Sequence, residues 1–251
     1  MDNRAESRRA VSIDWISRMP RPKKITTSKS RRRRLADDGG FVADGDGLVA
    51  DDDGLVAVGG TLHPDVLEKA YRMGIFPWSS HPAVTWWCPD PRTIFELDTF
   101  QASRSLRKRM RHSGWTLHLD RDFEGTMKRC AETTPDRPST WISEEFIAGY
   151  CELHRRGLAH SVEVYENEEP VGGLYGVTIG GFFGGESMFR RRDDASKVAL
   201  CHLVSHLRAH GFVLLDAQVM NPHLASLGAR EISRAEFLRR LREALALKVT
   251  F

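Results

Sequence analysis

Three polar residues stand in stretches that are otherwise built for burial. Glu186 follows two glycines in GGESMF, and Asp216 and Gln218 lie two apart in the apolar run LLDAQVM. In a strand, a spacing of two sends both side chains to one face. Polar groups inside apolar strands need partners, and a substrate is one kind of partner. A carboxylate holds a cation or takes a proton, and a carboxamide orients an N–H donor. All three belong to Pro170–Gly228, which reads as strand, Gly-rich turn, strand, basic helix start, amphipathic helix, strand and short helix. Gly180–Gly181 fit a hairpin turn. Gly184–Gly185, directly before Glu186, mark a place where a ligand or a second backbone comes close.

Other residue sets carry less. Cys201 with His202, His206 and His210 suggests a metal or nucleophile set, but the histidines share a helix face off the apolar stripe with no carboxylate beside them, and read as a solvated face. Cys88, Cys130, Cys151 and Cys201 are far apart with no C-x-x-C pair, which argues against a zinc site and for a reducing, cytosolic setting. There is no P-loop, G-x-S-x-G or H-E-x-x-H. FRRRDDASK opens a helix where a coenzyme A turn would need glycines; Arg190–Arg192 offer side chains for phosphates, but no cradle is written there.

The elements that must position these residues can be read in order. Residues 1–35 are basic, end SKSRRRR, and read as a disordered arm. An imperfect Gly/Asp repeat, GGFVADGD, GLVADDD, GLVAVGG, leads to a helix with Pro64 near its start and Gly74 past its end. IFPWSSHPAVTWWCPDPR holds four prolines and three tryptophans, a stiff loop that forbids a helix. Trp86 and Trp87 read as core, and Trp78 as an exposed stacking surface. In the helix of 102–114, Arg104, Arg107, Lys108 and Arg111 fall at i, i+3, i+4 and i+7, one stripe uninterrupted by acids, with Leu106 and Met110 paired on another side. Such a stripe suits a phosphate backbone. Then come the strand WTLHLD, a helix, a loop delivering Trp141, and a helix capped by Ser143. A three-strand meander, a helix closed by Gly211, the strand FVLLDAQVM, a short helix to Gly228 and a last helix opened by a Ser233/Glu236 capping box complete the chain.

The expected fold class is therefore α/β (α+β), helices among a mostly antiparallel sheet. Its element order resembles the N-acetyltransferase type. The chain, 251 residues with 41% hydrophobic content, is long enough for a sizeable core. Its net charge of +3 understates the segregation of acids at 37–53 from bases at 4–34, 104–111 and 190–192, which points to a polyanionic partner. No apolar run reaches the roughly eighteen residues of a membrane span, and the basic N-terminus lacks the apolar region of a secretory signal.

Taken in order, GIFPW, WWCPDPR, SRSLRKR, TWIS, AHSVEV, VGGLYG, GGESMF, ASKVAL and DAQVMNPHLASLGAREI closely resemble the leucyl/phenylalanyl-tRNA–protein transferases, over about three quarters of the chain from Gly54 to Leu245. The resemblance implies transfer of leucine or phenylalanine from aminoacyl-tRNA to proteins with an N-terminal arginine or lysine, marking them for the N-degron route. It implies a small N-terminal domain (36–92) on an acetyltransferase-like (GNAT-type) C-terminal domain (93–251), a cytoplasmic monomer, and neither metal nor coenzyme. Asp216 and Gln218 fall at the reaction centre, where Gln218 orients the amine and Asp216 holds Gln218 or helps take the proton. Glu186 matches a site residue suited to a cationic acceptor terminus. Trp78 and Trp141 match the positions that hold the 3′-terminal adenosine. Leu174, Phe183, Met188, Leu203, Leu207 and Leu215 map to the amino-acid pocket, and the basic stripe to the tRNA acceptor arm. The ranking of leucine against phenylalanine stays open. An acyl-CoA-dependent N-acetyltransferase, from fold order, and a non-catalytic tRNA-binding module, from the stripe and tryptophans, are the competing readings.

Overall fold

The computed structural model describes residues 50–133 and 138–251, together with the backbone of 11–13 and 34–35. Most of the expected arm (1–35) and the first copies of the Gly/Asp repeat lie outside these residues. Within the arm, Val11–Ile13 (β1) and Arg34–Leu35 (β2) are short strands.

Leu55–Gly59 (β3), the helix Pro64–Arg72 (α1), Phe76–Ser79 (β4) and Thr85–Trp87 (β5) follow. Pro64 occupies the first helical turn, where a missing N–H costs nothing, and Gly74 leaves α1 at φ +77°. The proline-rich stretch read as a loop is in fact two short strands, β4 paired antiparallel with β5, in a sheet ordered β2-β3-β5-β4. Trp86 and Trp87 are buried there, as expected.

The larger sheet begins at Arg92–Phe95 (β6) and takes in Thr116–Leu119 (β7), Ala159–Glu166 (β8), Glu169–Ile179 (β9), Phe182–Arg190 (β10), Leu214–Gln218 (β11) and Arg230–Ile232 (β12). Its order is β12-β6-β11-β10-β9-β8-β7, with β1 beside the end of β10. The predicted meander is β8-β9-β10, whereas β12 carried no sequence signal. β10 and β11 are parallel and joined through the helix Ala195–Ala209 (α5), the crossover that parallel neighbours require. Their pairing stops at Gly184↔Asp216. Beyond it β10 pairs with β1 while β11 turns away, so the two strands part just where Glu186 and Gln218 occur.

The helices Phe123–Ala131 (α3) and Glu144–Arg155 (α4) cover one face of the sheet, with Phe123 and Tyr150 against Tyr175. In α4, Phe146, Ile147, Tyr150 and Leu153 form the buried stripe, each large side chain contributing about 1.5–3 kcal/mol by burial. α5 covers the other face. A Cβ on Gly172 would lie 2.5 Å from that of Ala195, so this glycine is what lets strand and helix approach. The helices Arg104–His112 (α2), Pro222–Ser226 (α6) and Arg234–Leu245 (α7) complete the fold. Ser233 caps α7, but Glu236 pairs with Arg239 and Arg240 instead of closing the expected box. In α2, Leu106 is buried but Met110 is exposed, so the two do not form the expected apolar pair.

Candidate active site

Both polar strand residues sit at irregularities of the sheet. Along β10, Gly185 pairs with Gly176 and Ser187 with Tyr175, leaving Glu186 as the extra residue of a bulge. Along β11, Asp216 pairs with Ile94 and Gln218 with Thr93, a second register shift. Gln218 has φ 56° and lies inside a turn closed by Val219 N–H to Ala217 O at 2.7 Å. A positive φ is costly for a residue with a side chain. The regular alternation expected to align Asp216 with Gln218 is therefore broken, and bulge and turn re-aim the side chains instead.

Glu186 is fully buried against two tyrosines that sequence reading missed. The Tyr71 hydroxyl from α1 donates to Oε1 at 2.7 Å, the Tyr150 hydroxyl from α4 donates to Oε2 at 3.2 Å, and the two hydroxyls are 2.5 Å apart. These are three contacts, and the two hydroxyls supply two protons. A protonated Glu186 supplies the third and reverses the Tyr150 contact: Oε2 then donates to Tyr150, Tyr150 donates to Tyr71 and Tyr71 donates to Oε1, so all three contacts are hydrogen bonds. Burial, with Asp216 nearby, lifts the Glu186 carboxyl from 4.5 to about 8 even against the tyrosine hydrogen bonds. Gln218 Nε2 donates to Glu186 Oε1 at 3.3 Å, while its Oε1 is buried with no hydrogen-bond partner among the described residues. A buried carbonyl without a donor lacks about 1–3 kcal/mol of compensation, which an incoming N–H would supply.

Asp216 is not a free base. Its Oδ1 accepts from Arg92 Nε at 2.8 Å and its Oδ2 from Arg92 Nη2 at 2.7 Å, and Oδ1 also takes the Gln218 backbone N–H at 3.0 Å. Of the two roles expected for it, holding Gln218 has contacts behind it, whereas taking a proton does not.

Leu174, Phe183, Met188, Leu203, Leu207 and Leu215 are all fully buried. Met188 pairs with Leu174 and Phe183 with Leu215, and the Glu186 bulge keeps Phe183 and Met188, an odd number apart, on the face under α5. Glu186 itself meets Tyr71 and Tyr150 on the opposite face. The apolar set and the polar set thus lie on two sides of the sheet, next to the parting of β10 from β11. A cavity of about 360 Å³ lies elsewhere, at the start of α2, lined in part by Ser103, Leu106, Lys197 and Gly228.

Trp78, expected to be exposed, and Trp141 are both half-buried, each edge-on to a buried ring, Trp87 at 5.3 Å and Phe146 at 5.0 Å. Their loops meet where Ser80 Oγ lies 2.9 Å from Ser143 Oγ, the hydroxyl that also caps α4. Arg104, Arg107, Lys108 and Arg111 are exposed along α2, and among the described residues none of the four forms an ion pair. By contrast, Arg190, Arg191 and Arg192 each pair with an acid (Asp193, Glu132 and Glu166) and are taken up by the fold.

The histidine face of α5 is not simply solvated. His206 stacks on His210 at 4.0 Å and leans on Phe251 at 4.4 Å, and burial pushes its imidazole down to about 4. Asp120, His154 and His160 gather donor atoms within 4.8 Å of one another, the spacing of a possible metal set. However, His154 Nδ1 already contacts Ala159 O at 2.8 Å and His160 Nδ1 contacts Asp120 at 2.6 Å, so the trio is a closed hydrogen-bonded corner.

Residues 94–242 match the family described as leucyl/phenylalanyl-tRNA protein transferase, and residues 60–90 match its N-terminal domain. A protein named leucyl/phenylalanyl-tRNA–protein transferase from Shewanella pealeana is 50% identical over 186 residues, covering 74% of this chain and 79% of that one. One of the same name from Rubrobacter xylanophilus is 51% identical over 192 residues, covering 76% of this chain and 98% of that one. Among solved structures, L-PGS from Bacillus licheniformis aligns at 15% identity with TM-score 0.39, over 63% of this chain and 52% of that one. That likeness is too weak to inform the fold.

Proposed function

The chain belongs to the leucyl/phenylalanyl-tRNA protein transferase family, and from that premise we propose that Glu186 and Gln218 form the centre where an acceptor amine attacks the aminoacyl ester. The enzyme transfers an aminoacyl group from tRNA to protein. The donors are leucyl- and phenylalanyl-tRNA, and the acceptors are proteins with N-terminal arginine or lysine, entering the N-degron route. The enzyme works as a monomer in the cytoplasm; no described helix is long and apolar enough to cross a membrane.

The observation that carries this reading is the Oε1 of Gln218, which has no hydrogen-bond partner among the described residues and lies beside Glu186, both enclosed. The α-amino group of the acceptor donates one N–H to that oxygen, which aims its lone pair at the ester carbon. The new C–N bond forms, the C–O bond to the terminal ribose breaks, and the ribose hydroxyl leaves carrying a proton. The amine gives up that one proton to the Glu186 carboxylate, which Tyr71 and Tyr150 hold in place, and Glu186 passes the same proton on to the departing ribose oxygen. A carboxyl near 8 is matched to an amine whose own pKa is ~8. The ester is already activated, so positioning alone supplies ~7–11 kcal/mol of barrier reduction. Asp216 holds Gln218 and takes no proton.

Because Glu186 and Gln218 are enclosed, the reactants reach them where β10 and β11 part. The aminoacyl side chain enters among Leu174, Phe183, Met188, Leu203, Leu207 and Leu215. Trp78 and Trp141 grip the terminal adenosine, and the α2 stripe holds acceptor-arm phosphates. An acetyltransferase-like C-terminal domain (93–251) bearing a small N-terminal one (36–92) is the organisation that best accommodates these parts. It is supported by the β10–α5–β11 crossover and by the separate small sheet. Incubating the protein with labelled leucyl-, phenylalanyl- or methionyl-tRNA and a peptide beginning with arginine tests the proposal. Labelled peptide from the first two is expected, and a folded protein that yields none sinks it.

A further inference from the structure

Arg92 takes no part in the steps above, yet its guanidinium is fully enclosed, with 1% of the side chain exposed. Two of its nitrogens grip both oxygens of Asp216, and Nη1 donates to Gly74 O at 3.1 Å. Its carbon lies 4.3 Å from the Phe237 ring centroid and 4.8 Å from that of Phe76, so the plane of the group is clamped as well as its nitrogens. Stability is a poor explanation for such a group. A buried ion pair can usually be replaced by apolar side chains of similar volume at little cost.

What the guanidinium does supply is direction. From Arg92 the contacts run to Asp216 Oδ1, and from there to the backbone N–H of Gln218, the residue held at φ 56°. In the other direction they run to Gly74, which leads into β4, the strand that presents Phe76 to the guanidinium and carries the half-buried Trp78. One rigid group therefore spans the strand carrying a proposed adenosine contact and the turn carrying the proposed amine acceptor.

We infer that Arg92 is a positioning residue for the transfer: through Asp216 it holds the Gln218 turn in its strained form, at a fixed place relative to the Trp78 strand. The inference rests on the aminoacyl-transfer reading of this site. It requires the two-pronged shape of the guanidinium and not merely its charge, because a lysine ammonium is a point charge that cannot engage both carboxylate oxygens and Gly74 in one plane.

Arg92→Lys separates these possibilities. In steady-state transfer of leucine from leucyl-tRNA to an arginine-starting peptide, kcat is expected to fall ~10²-fold, as for an ångström-scale misplacement of a reacting group. KM for both substrates is expected to stay within about twofold, the pattern of an interaction needed only in the transition state. A kcat within about threefold of wild type, or a loss that appears in KM instead, overturns the inference. Wild-type protein that forms no product overturns the transfer reading and this inference with it, and is recognised without any variant. If Arg92→Lys does not fold, the compensated pair Arg92→Met with Asp216→Leu takes its place. It is expected to fold and to bind aminoacyl-tRNA as the wild type does, but to give no transfer. Transfer at the wild-type rate by this pair shows that the ion pair orients nothing.

Discussion

Replacing Glu186 with glutamine should make the protein more stable at alkaline pH while abolishing transfer. The side chain is fully enclosed, and its carboxyl titrates at about 8 in the folded protein against 4.5 when unperturbed. Below about pH 4.5 the folded and unfolded states both keep the proton. As pH rises through the window to about 8, the unfolded chain releases it and the folded one does not, so the unfolded state binds fewer protons and stability falls. A displacement of this size corresponds to about 5 kcal/mol, a large share of a total stability on the order of 5–15 kcal/mol. Glutamine cannot ionise. Its amide N–H also takes the place of the carboxyl proton towards Tyr150, so the three-membered ring of hydrogen bonds survives. The assay is urea unfolding of both proteins at about pH 5 and about pH 8.5, since the difference between them isolates this one group. The variant should gain several kcal/mol on the wild type between the two pH values. An equal difference at both would refute the enclosed, proton-holding Glu186. The same residue predicts that wild-type kcat climbs with pH and levels off near 8, as the carboxylate becomes free to accept a proton. A flat profile over that range would remove it from proton transfer.

Gln218→Ala should lower kcat roughly 10²-fold through lost orientation of the amine, with tRNA affinity unchanged in a binding titration. A loss of tRNA affinity of similar size would instead make Gln218 a binding residue. Trp78→Ala and Trp141→Ala should each weaken aminoacyl-tRNA binding by ~1–3 kcal/mol, the value of one stacked base, and a Kd equal to wild type would leave these indoles as edge packing. Removing charge at Arg104 and Lys108 together should reduce the slope of log K against log salt by about two, near one per phosphate released. An unchanged slope would make α2 a solvated face.

Much of the local structure follows from the sequence alone. Ser143 and Ser233 cap their helices because a hydroxyl before an apolar-periodic run satisfies an amide the helix leaves open. The β8-β9-β10 meander follows from alternation and from Gly180–Gly181. The ordered motifs from GIFPW to DAQVM identify the family, and Glu186, Asp216 and Gln218 stand out because polar residues are rare in such strands. Their environment could not be read there. Tyr71 lies 79 residues from Tyr150 and 115 from Glu186, and Arg92 lies 124 from Asp216. In the sequence, each tyrosine is an ordinary member of a buried helical stripe, and Arg92 is one of many arginines. The bulge at Glu186 and the turn at Gln218 were equally hidden, because alternation predicts regular strands and a register shift is set by what packs on both faces. The sequence determined which groups can do the chemistry and on which elements they lie. Tertiary structure alone decided that Glu186 keeps a proton near neutrality and that Asp216 is bound to Arg92. Proton affinity in a buried site depends on desolvation and on neighbours brought together from distant parts of the chain.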